Sequence, residues 1–163
     1  KLKIFRLKMT EEIKGVQDYY PNDVAHCYGC GSLNEHGHHL KTFWDGDETI
    51  SRFTPKDYHT AVPGYVYGGL IASLIDCHGT GTAALAAYKN ENRIPGTNPP
   101  FRFVTASLQV DFLKPTPLGI EFELRGKILE VKGKKVISEI SLYADNKLTA
   151  KGKVVAVQMP DNF

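Results

Sequence analysis

From Phe103 onward, apolar and polar residues alternate with the two-residue period of a half-buried strand. Val104, Ala106, Leu108, Val110 and Phe112 share one face, and Thr105, Ser107, Gln109 and Asp111 the other. Pro115-Thr116-Pro117-Leu118-Gly119 breaks the pattern. It resumes over 120–131, with Ile120, Phe122, Leu124, Gly126 and Ile128 on one face. Residues 132–135 turn the chain into a strand at 136–143, and Asp145-Asn146 turns it into another at 147–157. Upstream, 39–45 and 48–54 read as two shorter strands joined through Asp45-Gly46-Asp47, because Asp-Gly between apolar or β-branched runs signals a hairpin. Between the two groups, 68–88 carries apolar or small residues around most of its circumference, the pattern of a buried helix.

Two strands, one buried helix and then at least three long antiparallel strands in a meander make an α+β fold, with the helix against one face of the sheet. The helix is unusually small-sided. Gly69, Ala72, Ser73, Gly79, Gly81, Ala83, Ala84, Ala86 and Ala87 strip it of bulk, although each glycine costs ~1 kcal/mol of helix propensity relative to alanine. Small side chains allow close approach of a neighbouring surface, so a curved sheet wrapped around the helix is the simplest arrangement. Before this core, CYGCGSLN at 27–34 reads as irregular loop, and Thr10 with Glu11 and Glu12 marks the acidic start of a short helix over 10–20.

A chain of 163 residues suits one domain at 27–158, with an N-terminal extension at 1–26 and a short tail at 159–163. Twenty Lys plus Arg against 18 Asp plus Glu give a net charge of +2. That balance, with the basic residues scattered, does not suit a nucleic-acid binder. No apolar run approaches the roughly 20 residues of a bilayer span, and KLKIFRLKMTEE has charges inside its apolar part, unlike a signal peptide. The expectation is a soluble, cytoplasmic protein without a membrane partner, whose three cysteines, Cys27, Cys30 and Cys77, are free thiols.

Within the buried helix stands an aspartate, Asp76, and a carboxylate in apolar surroundings is costly unless paired, hydrogen-bonded or protonated. It is either a structural or solvated acid, or chemistry. Three features bear on the choice: the Gly68-Gly69 pair opening the helix, the acid seven residues past the second glycine, and the later TASLQVDFLKPTPLG. Together with CYGCGSLNEHG, they resemble the hot-dog-fold acyl-CoA thioesterases, in the branch of the phenylacetic-acid-degradation thioesterases and the mammalian thioesterase-superfamily members. The resemblance covers about 27–157.

That resemblance implies a hot-dog fold, an acyl-CoA substrate, and Asp76 as nucleophile or general base. It implies Thr105 as its assistant and the Gly68 backbone N–H, with Gly69 alongside, as the group that polarises the thioester carbonyl. The chain departs from the pattern at Tyr67, where many relatives carry His, and at Ala61, where some carry Asn. Tyr67 then becomes a substrate-binding candidate, and His59 one that compensates from the preceding loop.

Elementary chemistry supports the same roles. A helix start with free N–H groups and no obstructing side chain suits a developing oxyanion. An aspartate can attack a thioester or activate water, and a threonine hydroxyl can hold that water. Gly69 and Asp76, however, stand ~10 Å apart along one helix, whereas nucleophile and oxyanion donor must both lie ~3 Å from one reacting centre. One helix cannot furnish both, so the expectation is a homodimer with antiparallel helices and two equivalent sites, with the pairing of dimers left open.

The alternatives are a non-catalytic acyl-CoA binding module, consistent with Tyr67 and Ala61, and a hot-dog hydratase, which would want a partner His where Tyr67 stands. No metal or redox cofactor is expected. Cys27-x-x-Cys30 followed by His36, His38 and His39 lacks a second Cys-x-x-Cys or a well-spaced His pair. Cys77 and His78 point ~100° apart on a helix and do not form a pair. Lys89, Arg93, Arg102 and Lys114 flank the site and read as solvated charges, with coenzyme A phosphates as the other reading.

Overall fold

Three tight turns set the register of the sheet in the computed structural model, which describes residues 13–160 and 162–163. Asp145 and Asn146 both take positive φ, 51° and 58°, as the two-residue hairpin between strands β5 (Lys135–Ala144) and β6 (Lys147–Gln158) requires. Gly133 does the same between β4 (Phe122–Lys132) and β5, and Gly46 between β1 (Phe43–Asp45) and β2 (Glu48–Phe53). With β3 (Phe103–Phe112), these strands form one sheet in the order β1-β2-β4-β5-β6-β3, every neighbouring pair antiparallel. Helix α1 (Gly68–Asn90) lies against it, touching β3, β4, β5 and β6.

The core lies between α1 and the concave face. Phe122 and Leu124 of β4, Ile140 and Leu142 of β5, and Val154 of β6 are fully buried against Leu70, Leu74 and Ile75 of α1. The small residues of the helix have the role expected of them. A Cβ on Gly79 would stand 2.6 Å from the Val154 side chain, so the sheet comes closer to α1 than any larger residue permits. By length and composition α1 could cross a membrane, contrary to the expectation that no segment would. Instead, 83% of its most apolar window is buried inside the fold.

Deeper still is a polar cluster. His78, fully buried, meets Thr49 Oγ1 through Nε2 at 3.0 Å and Ser51 Oγ through Nδ1 at 2.7 Å, and Thr82 joins Thr49 at 2.7 Å. Burial lowers the His78 pKa to about 3, so the ring is neutral.

Three expectations need correction. A single 3-10 turn, Val16–Tyr19, stands where a helix over 10–20 is expected, while Thr10, Glu11 and Glu12 lie outside the described residues. Gly15 and Pro21 bracket the turn. The Val16 N–H is taken by the Thr42 carbonyl, and the Gln17 side chain bonds Thr42, so this segment is packed cross-chain and does not extend as a helix. The strand expected over 39–45 is reduced to β1, since His39 takes a left-handed φ of 53° that no strand tolerates. Finally, β3 does not bury one alternate face. Among the described residues it pairs with β6 alone, Ala106 is an extra residue in the ladder, and its middle from Ala106 to Gln109 is exposed.

Candidate functional site

Asp76 sits in the middle of α1 and is half-buried. Thr105, near the start of β3, donates its hydroxyl hydrogen to Asp76 Oδ1. The bulge explains how. Thr105 and Ser107 pair with the consecutive residues Ala156 and Val155 of β6, so the strand bends at Ala106, and bulges re-aim the side chains beside them. Burial raises the Asp76 pKa above the ordinary carboxylate value; the Thr105 hydroxyl opposes that rise, the nearby Cys27 sulfur adds to it, and the Arg102 charge opposes it. The carboxylate is therefore a stronger base than a solvated one, and it is held by one oxygen only.

A pH dependence follows. Replacing Thr105 by valine removes a hydrogen bond donated to the charged form, so the Asp76 pKa should rise further. The acid limb of a pH–rate profile for any reaction that needs the carboxylate is expected to move to higher pH in Thr105→Val. An acid limb that stays put or moves down would contradict this.

The second half of the site is the start of α1. Tyr67 precedes it in an extended conformation, φ −72° and ψ 145°, and no side chain caps the helix. Among the described residues, the first N–H groups, at Gly68 and Gly69, therefore have no side-chain acceptor. Beside them opens a cleft of about 420 Å³ lined by Gly68, Ile71, Phe112, Leu113 and Lys114. A Cβ on Gly68 would stand 3.1 Å from the Phe112 ring. The exposed Tyr67 ring folds back over Gly69. His59 is buried: its Nδ1 accepts the Lys56 N–H at 3.0 Å, its carbonyl accepts the Tyr67 N–H at 3.1 Å, and its ring packs among His38, Phe53 and Tyr58. His59 thus braces the loop that leads into the helix.

Within one chain, Asp76 and Thr105 are in contact, and Tyr67, Gly68, Gly69 and His59 are gathered at the helix start, but the two groups are not joined. About two turns of α1, ~10 Å, separate them. What connects them is a stripe. Past Gly68, the positions of α1 up to Asp76 that are not fully buried are Gly69, Ala72, Ser73 and Asp76, spaced i, i+3, i+4 and i+7 on one helix face.

Of the four flanking cations, Lys114 alone lines the cleft. Lys89 lies over Trp44, Arg93 over Tyr88 and Phe101, and Arg102 over Tyr20. Sequence reasoning missed Phe112, which it placed on a buried face, and the meeting of the three cysteines beside Asp76.

Residues 63–151, more than half of the chain, match the family model described as the Thioesterase superfamily. The chain belongs to the thioesterase superfamily. The matched span contains Gly68, Gly69, Asp76 and Thr105. Acyl-coenzyme A thioesterase THEM4 of Xenopus laevis is 28% identical over 112 residues, 68% of this chain and 45% of that protein. The superfamily member described here thus spans about half the length of that curated relative. A thioesterase superfamily protein of Shewanella loihica PV-4 of known crystal structure is 48% identical, with a TM-score of 0.66, over 86% of this chain and 100% of its own. The Streptococcus mutans UA159 protein smu.793, solved bound to acetyl CoA, shares the fold at 16% identity and a TM-score of 0.58, over 74% of this chain and 88% of that one. One long helix on a six-stranded antiparallel sheet is the hot-dog architecture of this superfamily.

Proposed function

We propose that this domain hydrolyses acyl-coenzyme A thioesters at a site shared by two copies of the chain. The observation that carries the reading is the half-buried Asp76, held through one oxygen by Thr105, on a small-sided stripe that begins at the uncapped Gly68-Gly69 helix start. The family match, the name of the Xenopus relative and the acetyl CoA bound by the Streptococcus protein support the substrate class.

The need for two copies is geometric. A carbonyl carbon within ~3 Å of Asp76 cannot also place its oxygen on the N–H of a glycine two turns away on the same helix. An antiparallel second helix laid along the stripe brings its own Gly68 opposite Asp76. The free edge of β3 and its exposed Leu108 and Phe112 supply the adjoining surface. A homodimer formed this way has two equivalent sites.

In each site the Gly68 N–H donates a hydrogen bond to the thioester oxygen as negative charge develops on it. As general base, Asp76 Oδ2, the oxygen not engaged by Thr105, takes a proton from a water whose oxygen attacks the carbonyl carbon; the C–S bond breaks, and that proton leaves with coenzyme A as its thiol. As nucleophile, Oδ2 attacks the carbonyl carbon itself, the C–S bond breaks to release the coenzyme A thiolate, and water then hydrolyses the acyl-aspartyl anhydride, restoring the carboxylate and giving the thiolate its proton. Lys114, which lines the cleft, would meet a phosphate of the coenzyme in this reading.

Thiol release from a panel of acyl-coenzyme A substrates, with the mass of the protein in solution, tests the proposal. Turnover by a dimer is the expected result. Tight binding without turnover would favour an acyl-CoA binding module, and full activity in a monomer would overturn the shared site.

A further inference from the structure

Beside the acid, the fold assembles something the catalytic reading does not use. The Sγ atoms of Cys27, Cys30 and Cys77 all lie within 4.8 Å of one another, with Cys27 and Cys77 3.8 Å apart. In sequence, Cys27-x-x-Cys30 has no second pair; in space, α1 supplies the third sulfur. We propose that these three residues form a three-thiolate site for a soft or borderline divalent cation of the zinc class, with solvent as the fourth ligand.

The geometry of the site carries this. Sulfurs ~2.3 Å from zinc at the corners of a tetrahedron stand about 3.8 Å apart, the separation found between Cys27 and Cys77. The loop is shaped around the sulfurs. A Cβ on Gly29 would run into Cys77 Sγ, and one on Gly31 into the Ala25 carbonyl and the Cys27 N–H, so glycine alone permits both the turn and its seat on the helix. Cys27 is half-exposed while Cys30 and Cys77 are buried, which leaves the solvent ligand an open side at Cys27.

Charge agrees. A divalent ion bound by three thiolates takes the place of the thiol protons, which pass to solvent. Three thiolates and one such ion leave one negative charge. Arg102, stacked 4.6 Å from the Tyr20 ring centroid, acts on Cys30 from that side with a positive one.

The site ties the loop at 27–30 to α1 one residue past Asp76, and it stands whether or not that carboxylate turns over thioesters. Cys27 and Cys30 lie outside the span that matches the family model.

Titrating the reduced full chain with Co²⁺ and then Zn²⁺ tests it. The expected result is a thiolate-to-cobalt charge-transfer band saturating at one ion per chain, displaced by zinc, and a higher Tm with zinc bound. Cys27→Ser, at the half-exposed position where the fold should survive, is expected to weaken cobalt affinity at least about tenfold. Cys77→Ala serves as a second variant, with circular dichroism reporting that each is folded. A reduced chain with three titratable thiols and no charge-transfer band overturns the proposal, as does cobalt binding unchanged in either folded variant.

Discussion

Asp76→Asn is expected to lower kcat for thioester hydrolysis by about 10²- to 10⁴-fold, the usual contribution of a positioned acid–base group. The amide keeps the shape of the carboxylate and can still accept the Thr105 hydroxyl hydrogen, but it neither takes up a proton nor attacks a carbonyl. Stability should move the other way. Burial raises the Asp76 pKa in the folded chain, so as pH rises through the ordinary carboxylate value the unfolded chain loses this proton first and folding is disfavoured. Below the ordinary value, both states carry the proton and the penalty vanishes. Asp76→Asn removes the penalty, and at neutral pH its Tm is expected to equal or exceed that of the parent. A structural acid would behave differently: losing it would lower Tm at neutral pH and leave turnover largely intact. Measuring kcat and Tm together on one preparation separates the two roles.

Gly68→Pro is expected to lower kcat by about 10²- to 10³-fold relative to Gly68→Ala, the range for loss of one oxyanion donor. The comparison isolates a single hydrogen. Proline is tolerated at the first helical position, where the N–H has no partner within the helix. Tyr67 already holds φ −72° and ψ 145°, the extended conformation that a residue before proline adopts. Both substitutions place a Cβ 3.1 Å from the Phe112 ring, so any displacement of that ring is common to the pair. Equal rates for Pro and Ala would remove the Gly68 N–H from the mechanism.

How much of this was legible in the sequence depended on whether one chain alone satisfies each pattern. Strand β4 could be read closely, because Phe122, Leu124 and Gly126 face a single core on every second residue. Helix α1 was found within two residues of its end, since its small residues meet a sheet that wraps it. For β3 the alternation misled. The strand is an edge with an extra residue at Ala106, and its apolar Leu108 and Phe112 face outward instead of into the core. At His39 a left-handed φ, which local pattern does not reveal, keeps the expected strand from starting there, and β1 begins only at Phe43.

The site divides in the same way. Asp76 stood out as a charge in an apolar helix, but its contact with Thr105 was legible only through family resemblance, since a strand threonine is ordinary. Rejecting a Cys77–His78 pair was sound: Cys77 meets Cys27, whereas His78 turns to Thr49 and Ser51. The convergence of Cys77 with Cys27 and Cys30 could not be read from spacing, because the fold alone brings α1 against the 27–30 loop.

One measurement bears most directly on the shared site. Asp76→Asn and Gly68→Pro chains, each nearly inactive alone, are co-expressed with different tags, and the mixed dimer is isolated. If each site draws its acid from one copy and its N–H donor from the other, the mixed dimer holds one intact site and one doubly defective site, and should recover about half of the parent activity. A mixed dimer as inactive as either variant alone would contradict the account.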